Sequence, residues 1–449
     1  MRVNIHLVEH HEDAIVLPQS FQAYRISDLF FGQKTRSCRI YYHSHHPHHM
    51  YVSTTLSEKL GMRDGMEMNL LLVHRRLYIG PIVGILSAGF TKSPLRPLGK
   101  RSMMFSKYIE SSKKAGSFSY VFGAHQIDWE NEWIEGYTYT NKGWEKIKAP
   151  FPNVIYNRLP NRKVETLDTF QSLMKSFQQK WHIPLFNERF LSKTDVTDFL
   201  VNTPCEAYIP ATIPNPTIKQ VEDMIHEYFS VFLKPINGSL GLGVYKLSYT
   251  PQEKKYYARY IDEKNQKRLT KYPSIQAFFT ETFQNRQLSR YIVQQAIPLL
   301  HHQQLPIDFR VHTNKDEHGK WKLSAMAGKV AGKGSVTTHV KTGGTILTIP
   351  EIETLLQPSF SIRERLHQAA LSISEQIEER IDGDIGEIGF DFGIDRNGEV
   401  WLFEANSKPG RSIFHHDELN REDHLTRELI FFYAQFLMKQ SIHEKAGTL

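Results

Sequence analysis

Only two cysteines, Cys38 and Cys205, occur in the 449 residues. They lie far apart without a partner motif, which excludes a disulfide framework and points to a reducing, cytoplasmic compartment. Long apolar runs are missing too: no window approaches the roughly 20 residues of a membrane span, so none is expected. The residues after Met1 form neither a signal peptide nor a transit sequence. There are no repeats and no low-complexity linker. Charge of one sign is scarce as well. The formal net charge is +7, spread diffusely, which favours anionic ligands weakly and offers no basic block dense enough for nucleic acid. What is present is an ordinary globular composition on a chain long enough for about two to four domains.

The first eighty residues read as short strands and turns: Met1 to Leu7, Arg39 to His43, Met66 to Ile79. From Gly80 the pattern changes. "GPIVGILSAG" is a buried strand, "SKYIESSKKAG" a helix closed by Gly116, and "SYVFGAH" a second strand, which together make an α/β unit. Further strands follow in "FPNVIYNRLPNR", "YIVQQAIPL", "IDFRVHTN" and "KWKLSAMAGKV". A helix is expected over "SIRERLHQAALSISEQIEERI", with Ile362, Leu366, Ala370, Ile373, Ile377 and Ile381 on one stripe and a Ser361–Glu364 capping box. A last amphipathic helix runs from about Glu422 to Lys439. The histidines of "YYHSHHPHHMY" match no structural zinc spacing, and Pro47 breaks any helical face, so they read as a polar surface loop.

"GFDFGIDRNGEVWLFEANSKPG" (Gly389 to Gly410) carries the first chemistry. Asn397-Gly398 signals a two-residue type I′ turn. That register pairs Arg396 with Glu399, Asp395 with Val400, Phe392 with Phe403 and Asp391 with Glu404. Alternation then places Asn406 on the same face as both carboxylates. Facing carboxylates repel unless a cation intervenes, and an all-oxygen set suits Mg2+. An exposed hairpin edge with solvated acids is the alternative.

"KPINGSLGLG" sets Lys234 at a strand end before Gly238, Ser239, Gly241 and Gly243. Backbone N–H groups there can approach an anion closely. Neither a Walker loop nor a dinucleotide fingerprint fits, because the exit "VYKLSY" alternates as a strand. The glycines form a hairpin flap, for phosphate or as a plain turn. Order adds weight: the flap, then "DFR", then the carboxylate hairpin. Lys234 and the glycines for phosphates, Arg310 for a phosphoryl group and Asp391, Glu404 and Asn406 for Mg2+ are the parts phosphoryl transfer needs. Arg310 is otherwise an ion-pair partner of Asp308.

In that series the chain resembles ATP-grasp enzymes such as D-alanine–D-alanine ligase, glutathione synthetase and the ribosomal-protein glutamate ligases. More narrowly, "GPIVGIL", "YNRLPNR", "KPINGSLGLGV", "DFRVH" and "EIGFDFGID…WLFEANSKPG" resemble the YheC/YheD group of endospore coat-associated ATP-grasp proteins. The resemblance implies an α/β (α+β) ATP-grasp fold with four parts. These are an N-terminal β-rich region (1–79), a pre-ATP-grasp α/β domain (80–190), a lid subdomain (191–297) and a C-terminal catalytic subdomain (298–449). It implies ATP and Mg2+ as cofactors. Lys193 in "LSKTDVTDFL" is then the first ATP lysine and Lys234 the second, and Gln295, Ala296 and Ile297 offer backbone groups to adenine. Arg310 is the phosphate arginine, and Asp391, Glu404 and Asn406 are the Mg2+ ligands. The implied reaction is ligation of a small-molecule or peptide carboxylate to an amine through an acyl phosphate, in the cytoplasm or at the endospore coat with coat proteins as partners. A catalytically silent ATP-binding coat protein is the alternative, and a kinase a third. An acceptor carboxylate calls for a cation beside the γ-phosphate, with Arg158, Arg162 and Arg411 as candidates. Two positions depart from the glutamate ligases, His339 for Asn and Lys329 for Arg; the lysine loses a bidentate fork.

Overall fold

In the computed structural model, which describes residues 1–236, 243–264, 266–284, 286–332 and 344–447, the strands gather into four sheets in chain order. The first is eight-stranded and runs from Arg2–Val8 to Arg76–Ile79. Alternation puts Val3, Ile5, Met50, Val52, Met68 and Leu70 in its core. One helix there, Thr54–Leu60, was not expected among strands. Ser53 starts it by accepting the Leu56 N–H at 3.3 Å, and Gly61 ends it in the left-handed region. The histidine cluster occupies the exposed turn between strands Arg39–His43 and His49–Ser53, with His6 Nε2 2.7 Å from His49 Nδ1.

The second sheet follows the α/β pattern. Strand Ile82–Leu86 leads through helix Ser102–Lys114 to the parallel strand Phe118–Phe122, while Val154–Asn157 pairs in parallel on its other side. Strand order therefore reverses at Ile82–Leu86. The final helix, Asn420–Gly447, closes this layer: Ile430, Phe431, Ala434 and Leu437 share one core with Val83, Ile85, Phe105 and Tyr108.

The third sheet is antiparallel, with Tyr291–Gln295 beside Ser230–Pro235 and the latter beside Tyr245–Thr250, backed by helices Ile218–Tyr228 and Ile275–Glu281. The fourth runs Thr345–Leu347, Trp321–Val330, Leu305–Lys315, Glu387–Ile394, Val400–Asn406. Helix Ile362–Arg380 covers one of its faces, packing Leu366, Ala370, Ile373 and Ile377 on Phe309, Val311, Ile388, Phe390 and Phe392. Ser361 caps that helix through the Glu364 N–H at 3.2 Å. The carboxylate that accepts N–H groups at this end is Glu353, bonded by Ile362 and Arg363, rather than Glu364.

The hairpin corrects the expected turn. Ile394 pairs with Val400 and Phe392 with Leu402, one place off the register a two-residue loop would give. The Asp395 carboxylate causes this by accepting the N–H groups of Asn397 (2.9 Å) and Glu399 (3.0 Å), which lengthens the loop. A bulge at Phe403 then shifts the ladder back by one, and Asp391 faces Glu404 after all.

Candidate active site

The fourth sheet's other face, covered at one end by Ile413, Leu419 and the last helix, gathers the polar residues. Asp391 sits between Arg310 on one neighbouring strand and Glu404 on the other, and Asn406 lies two residues beyond Glu404. Arg310 Nη1 donates to Asp391 Oδ2 at 3.3 Å, and Lys329 Nζ donates to Asp391 Oδ1 at 2.8 Å. The Asp308 carboxylate goes to Lys329 at 3.1 Å, so Arg310 pairs with Asp391 and not with its neighbour two residues away. Burial works against the Lys329 charge, but Asp308 and Asp391 outweigh it and hold the pKa above the ordinary lysine value.

Two further lysines reach this face from other elements. Ser192 and Asp195 form a capping box that starts helix Lys193–Leu200, and its first residue extends Nζ to within 3.3 Å of Glu404 Oε1. Lys234 leaves the end of strand Ser230–Pro235 and donates to Gln294 Oε1 at 2.5 Å. Its ammonium lies 5.4 Å from the ring of Phe403, the bulge residue. Loss of solvation, then repulsion from Lys193, lowers its pKa to about 8, with Glu404, Asp308 and Asp391 pulling the other way. Lys193, Gln294, Phe403 and Glu404 line a cavity of about 80 Å3 between the third and fourth sheets. Four cations thus surround two facing carboxylates.

Along strand Tyr291–Gln295, the Gln295 N–H donates to Ala211 O at 2.9 Å and the Ala296 N–H to Ser230 O at 3.1 Å. Those two N–H groups are used within the sheet, and Ile297, just past the strand, accepts the Leu299 N–H at 3.0 Å. Gly238, Ser239, Gly241 and His339 fall outside the described residues. Gly243 adopts φ +71 at the foot of the flap, whose flanking strands pair antiparallel.

The three candidate substrate arginines separate. Arg162 Nη2 donates to Leu191 O at 2.5 Å, and its guanidinium lies over Phe190. Arg411 is bound to Asp423 at 2.6 Å and Thr426 at 2.5 Å, tying the last helix to the end of the hairpin. Arg158, 8% exposed, makes longer contacts: Glu387 Oε1 at 3.2 Å and Pro409 O at 3.5 Å. Arg158 and Arg411 both approach Tyr108.

Residues that the sequence did not single out hold this arrangement together. Asn187, 1% exposed with φ 55, uses its whole amide. Its Nδ2 donates to Glu387 O (2.9 Å) and Ser407 O, and its Oδ1 accepts from Gly386 N (2.8 Å) and Glu387 N (3.3 Å). One side chain on the second layer thereby fixes both ends of the carboxylate hairpin. Lys408 pairs with buried Glu165. His312, 1% exposed, stays neutral because burial and then Arg310 and Arg411 push its pKa well below the usual value, and its Nε2 has no hydrogen-bond partner. The only signals for these were an asparagine in "FNERF", a lysine in "FEANSKPG" and a histidine in "DFRVH", none distinctive without contacts.

Comparison with known families matches residues 182–437 to the family described as YheC/D like ATP-grasp. The chain is 38% identical over 432 residues to the endospore coat-associated protein YheD of Bacillus subtilis (strain 168), covering 96% of this chain and 95% of that protein. It is 23% identical over 278 residues to the endospore coat-associated protein YheC of the same strain, covering 60% of this chain and 73% of the relative. Among solved structures, D-alanyl-alanine synthetase A from Vibrio cholerae aligns with a TM-score of 0.44 at 13% identity, covering 81% of this chain and 99% of the other.

Proposed function

The chain belongs to the YheC/D-like ATP-grasp family, and from that premise we propose that it is an ATP- and Mg2+-dependent carboxylate–amine ligase acting at the spore coat. The observation that supports this most is the pair of facing carboxylates, Asp391 and Glu404, set among Lys193, Arg310 and Lys329 with Lys234 nearby.

Those residues divide the work. Lys193, which lines the cavity, and Lys234, which lies against its lining residues Gln294 and Phe403, hold the α- and β-phosphates of ATP as point charges. Arg310 stands next to Asp391, where it offsets charge developing on the γ-phosphoryl group. The purine is read past the Tyr291–Gln295 strand, at Ile297. The oxygens of Asp391, Glu404 and Asn406 are a hard donor set, and two of the three already draw lysine ammonium groups to themselves. They fit Mg2+, which when bound supplies charge neutralisation at the phosphates.

In the reaction, an oxygen of the carboxylate substrate attacks the γ-phosphorus and ADP departs. The amine nitrogen then attacks the acyl carbon of the acyl phosphate. Inorganic phosphate leaves, a proton is released, and an amide remains. Closing the third sheet over the fourth excludes water, which would otherwise hydrolyse the acyl phosphate.

An untargeted metabolite screen tests the reading: purified full-length chain, Mg-ATP and a metabolite extract, with products resolved by mass. A product equal to an acid plus an amine less one water, appearing with ADP and phosphate, supports the ligase. A phosphorylated product would make it a kinase. Nucleotide binding without ATP consumption across the extract would make it a silent coat protein.

A further inference from the structure

A second cavity, of about 320 Å3, opens in the second sheet, away from the nucleotide lysines. It lies at the carboxyl ends of two parallel strands. Ser87 to Phe90 form its floor as the chain leaves strand Ile82–Leu86, and Gly123 to His125 form a wall as it leaves Phe118–Phe122. In open α/β sheets, ligands seat in this crevice where strand order reverses, and here it reverses at Ile82–Leu86. The size falls at the lower end of ligand pockets, about 300–1,000 Å3.

The lining is chiefly apolar, from Ala88, Phe90, Ala124 and Phe170. Gly123 keeps the wall thin, since a Cβ there would come within 2.8 Å of Phe90 Cε2. Its polar groups are Ser87 on the floor and His125 and Thr169 elsewhere on the lining. Ser87 Oγ donates to Arg158 O at 3.1 Å and accepts from Arg101 Nη1 at 2.9 Å. From Ser87 a cationic path leads to the carboxylate hairpin. Arg158 Nη2 reaches Pro409 O at 3.5 Å, and a Cβ on the next residue, Gly410, would lie 4.0 Å from Arg310 Nη2. Burial, then repulsion from Arg158, lowers the Arg101 pKa, while Arg158 is itself paired with the buried Glu387 carboxylate at 3.2 Å. An apolar cup with the Arg101 guanidinium bonded to its floor residues Ser87 and Ala88 suits a molecule that is apolar at one end and carboxylate at the other.

We propose that this cavity seats the side group of the carboxylic-acid substrate, with the carboxylate directed past Ser87 to Arg158 and Arg310. This rests on the ligase reading and narrows it: the acid is small and carries a branched or aromatic apolar group, and is not a polyanion. Phe90 and Phe170 contact the apolar end, and Arg158 orients the carboxylate.

The test uses phenylacetate, 3-methylbutanoate, acetate and succinate as probe acids on the full-length chain. Binding is read by saturation-transfer NMR in the presence of Mg-ADP. Acyl-phosphate formation is read as hydroxamate, because hydroxylamine attacks the acyl carbon and releases phosphate. The expected result is binding of phenylacetate and 3-methylbutanoate, with hydroxamate formed from them at least about tenfold faster than from acetate or succinate. Ala124→Trp and, separately, Thr169→Trp fill the cavity from its wall and rim, and both should remove this preference. Mg-ATP thermal shift serves as the check that each variant is folded. No phenylacetate binding to the native chain overturns the inference, as does a preference unchanged in both variants. Hydroxamate from acetate or succinate alone defeats the cavity assignment but leaves the ligase standing. Cavity binding without hydroxamate from any of the four acids overturns the inference, because the bound acid is then not the reacting one, and leaves the ligase reading to the metabolite screen.

Discussion

Lys234 carries the clearest pH signature. Its pKa in the free chain is lowered to about 8, by lost solvation and by Lys193, so near that pH part of the population has no ammonium to offer a phosphate. A bound triphosphate favours the charged form, and nucleotide uptake is therefore linked to proton uptake. Affinity for Mg-ATP should fall as pH rises through about 8, and calorimetry in two buffers of different ionisation enthalpy should show protons taken up. Lys234→Arg should flatten the pH dependence, because guanidinium stays charged. Stability moves the opposite way: the folded chain gives up this proton at about 8 while the unfolded chain holds it to the ordinary lysine value, so this group's contribution rises with pH across that window. Equal affinity at pH 7 and pH 9.5 would count against a phosphate role for Lys234. At this scale the sequence was partly legible. Asp391, Glu404, Arg310 and Lys234 stood out by residue type and order. Lys193 needed a family resemblance, and Asn187 and Lys408 act through contacts with distant segments that no local pattern records.

The carboxylate hairpin shows what periodicity can and cannot settle. Alternating Ile388, Phe390, Phe392 and Ile394 identified a one-sided strand, and all four are buried against helix Ile362–Arg380. Asn397-Gly398 suggested a two-residue turn, but the Asp395 side chain competes for the backbone donors and lengthens the loop. The Phe403 bulge offsets the error, so the functional pairing survives a wrong turn. Asn187 holds the base of this hairpin, and its substitutions separate backbone from side chain. Asn187→Gly keeps the left-handed φ but leaves four main-chain groups without partners, for an expected loss of about 3 kcal/mol or more in urea unfolding. Asn187→Ala loses the same hydrogen bonds but keeps a Cβ in the left-handed region, and should be roughly 1 kcal/mol less stable than the glycine variant. Losses below about 1 kcal/mol in both variants would show that the hairpin does not depend on this residue.

On the scale of the whole molecule, the chain closes on itself. The last helix lies between the second and fourth sheets, with Tyr433 against Phe186, Lys315 Nζ 5.0 Å from the Tyr433 ring, and Ile430 and Leu437 in the same core as Val83 and Phe105. A chain ended after residue 419 should therefore lose the second sheet, seen as lost amide protection in Ile82–Leu86 and Phe118–Phe122. Retained protection there would contradict this placement. Sequence order exposed the arginine strand and the hairpin because each is local. The eight-stranded first sheet stayed hidden beyond its strands, since Arg2–Val8 pairs with both His49–Ser53 and Glu67–Val73 across long separations. No described helix is long and apolar enough to cross a membrane. The central claim for the molecule is that Asp391 and Glu404 hold a magnesium–nucleotide complex between the third and fourth sheets. Calorimetric titration of the full-length chain with ATP, with and without Mg2+, and of a folded Glu404→Gln variant tests it most directly. The account predicts saturable, Mg2+-dependent uptake of one nucleotide per chain that Glu404→Gln abolishes. No uptake by the native chain, or uptake indifferent to Mg2+ and to that substitution, would contradict it.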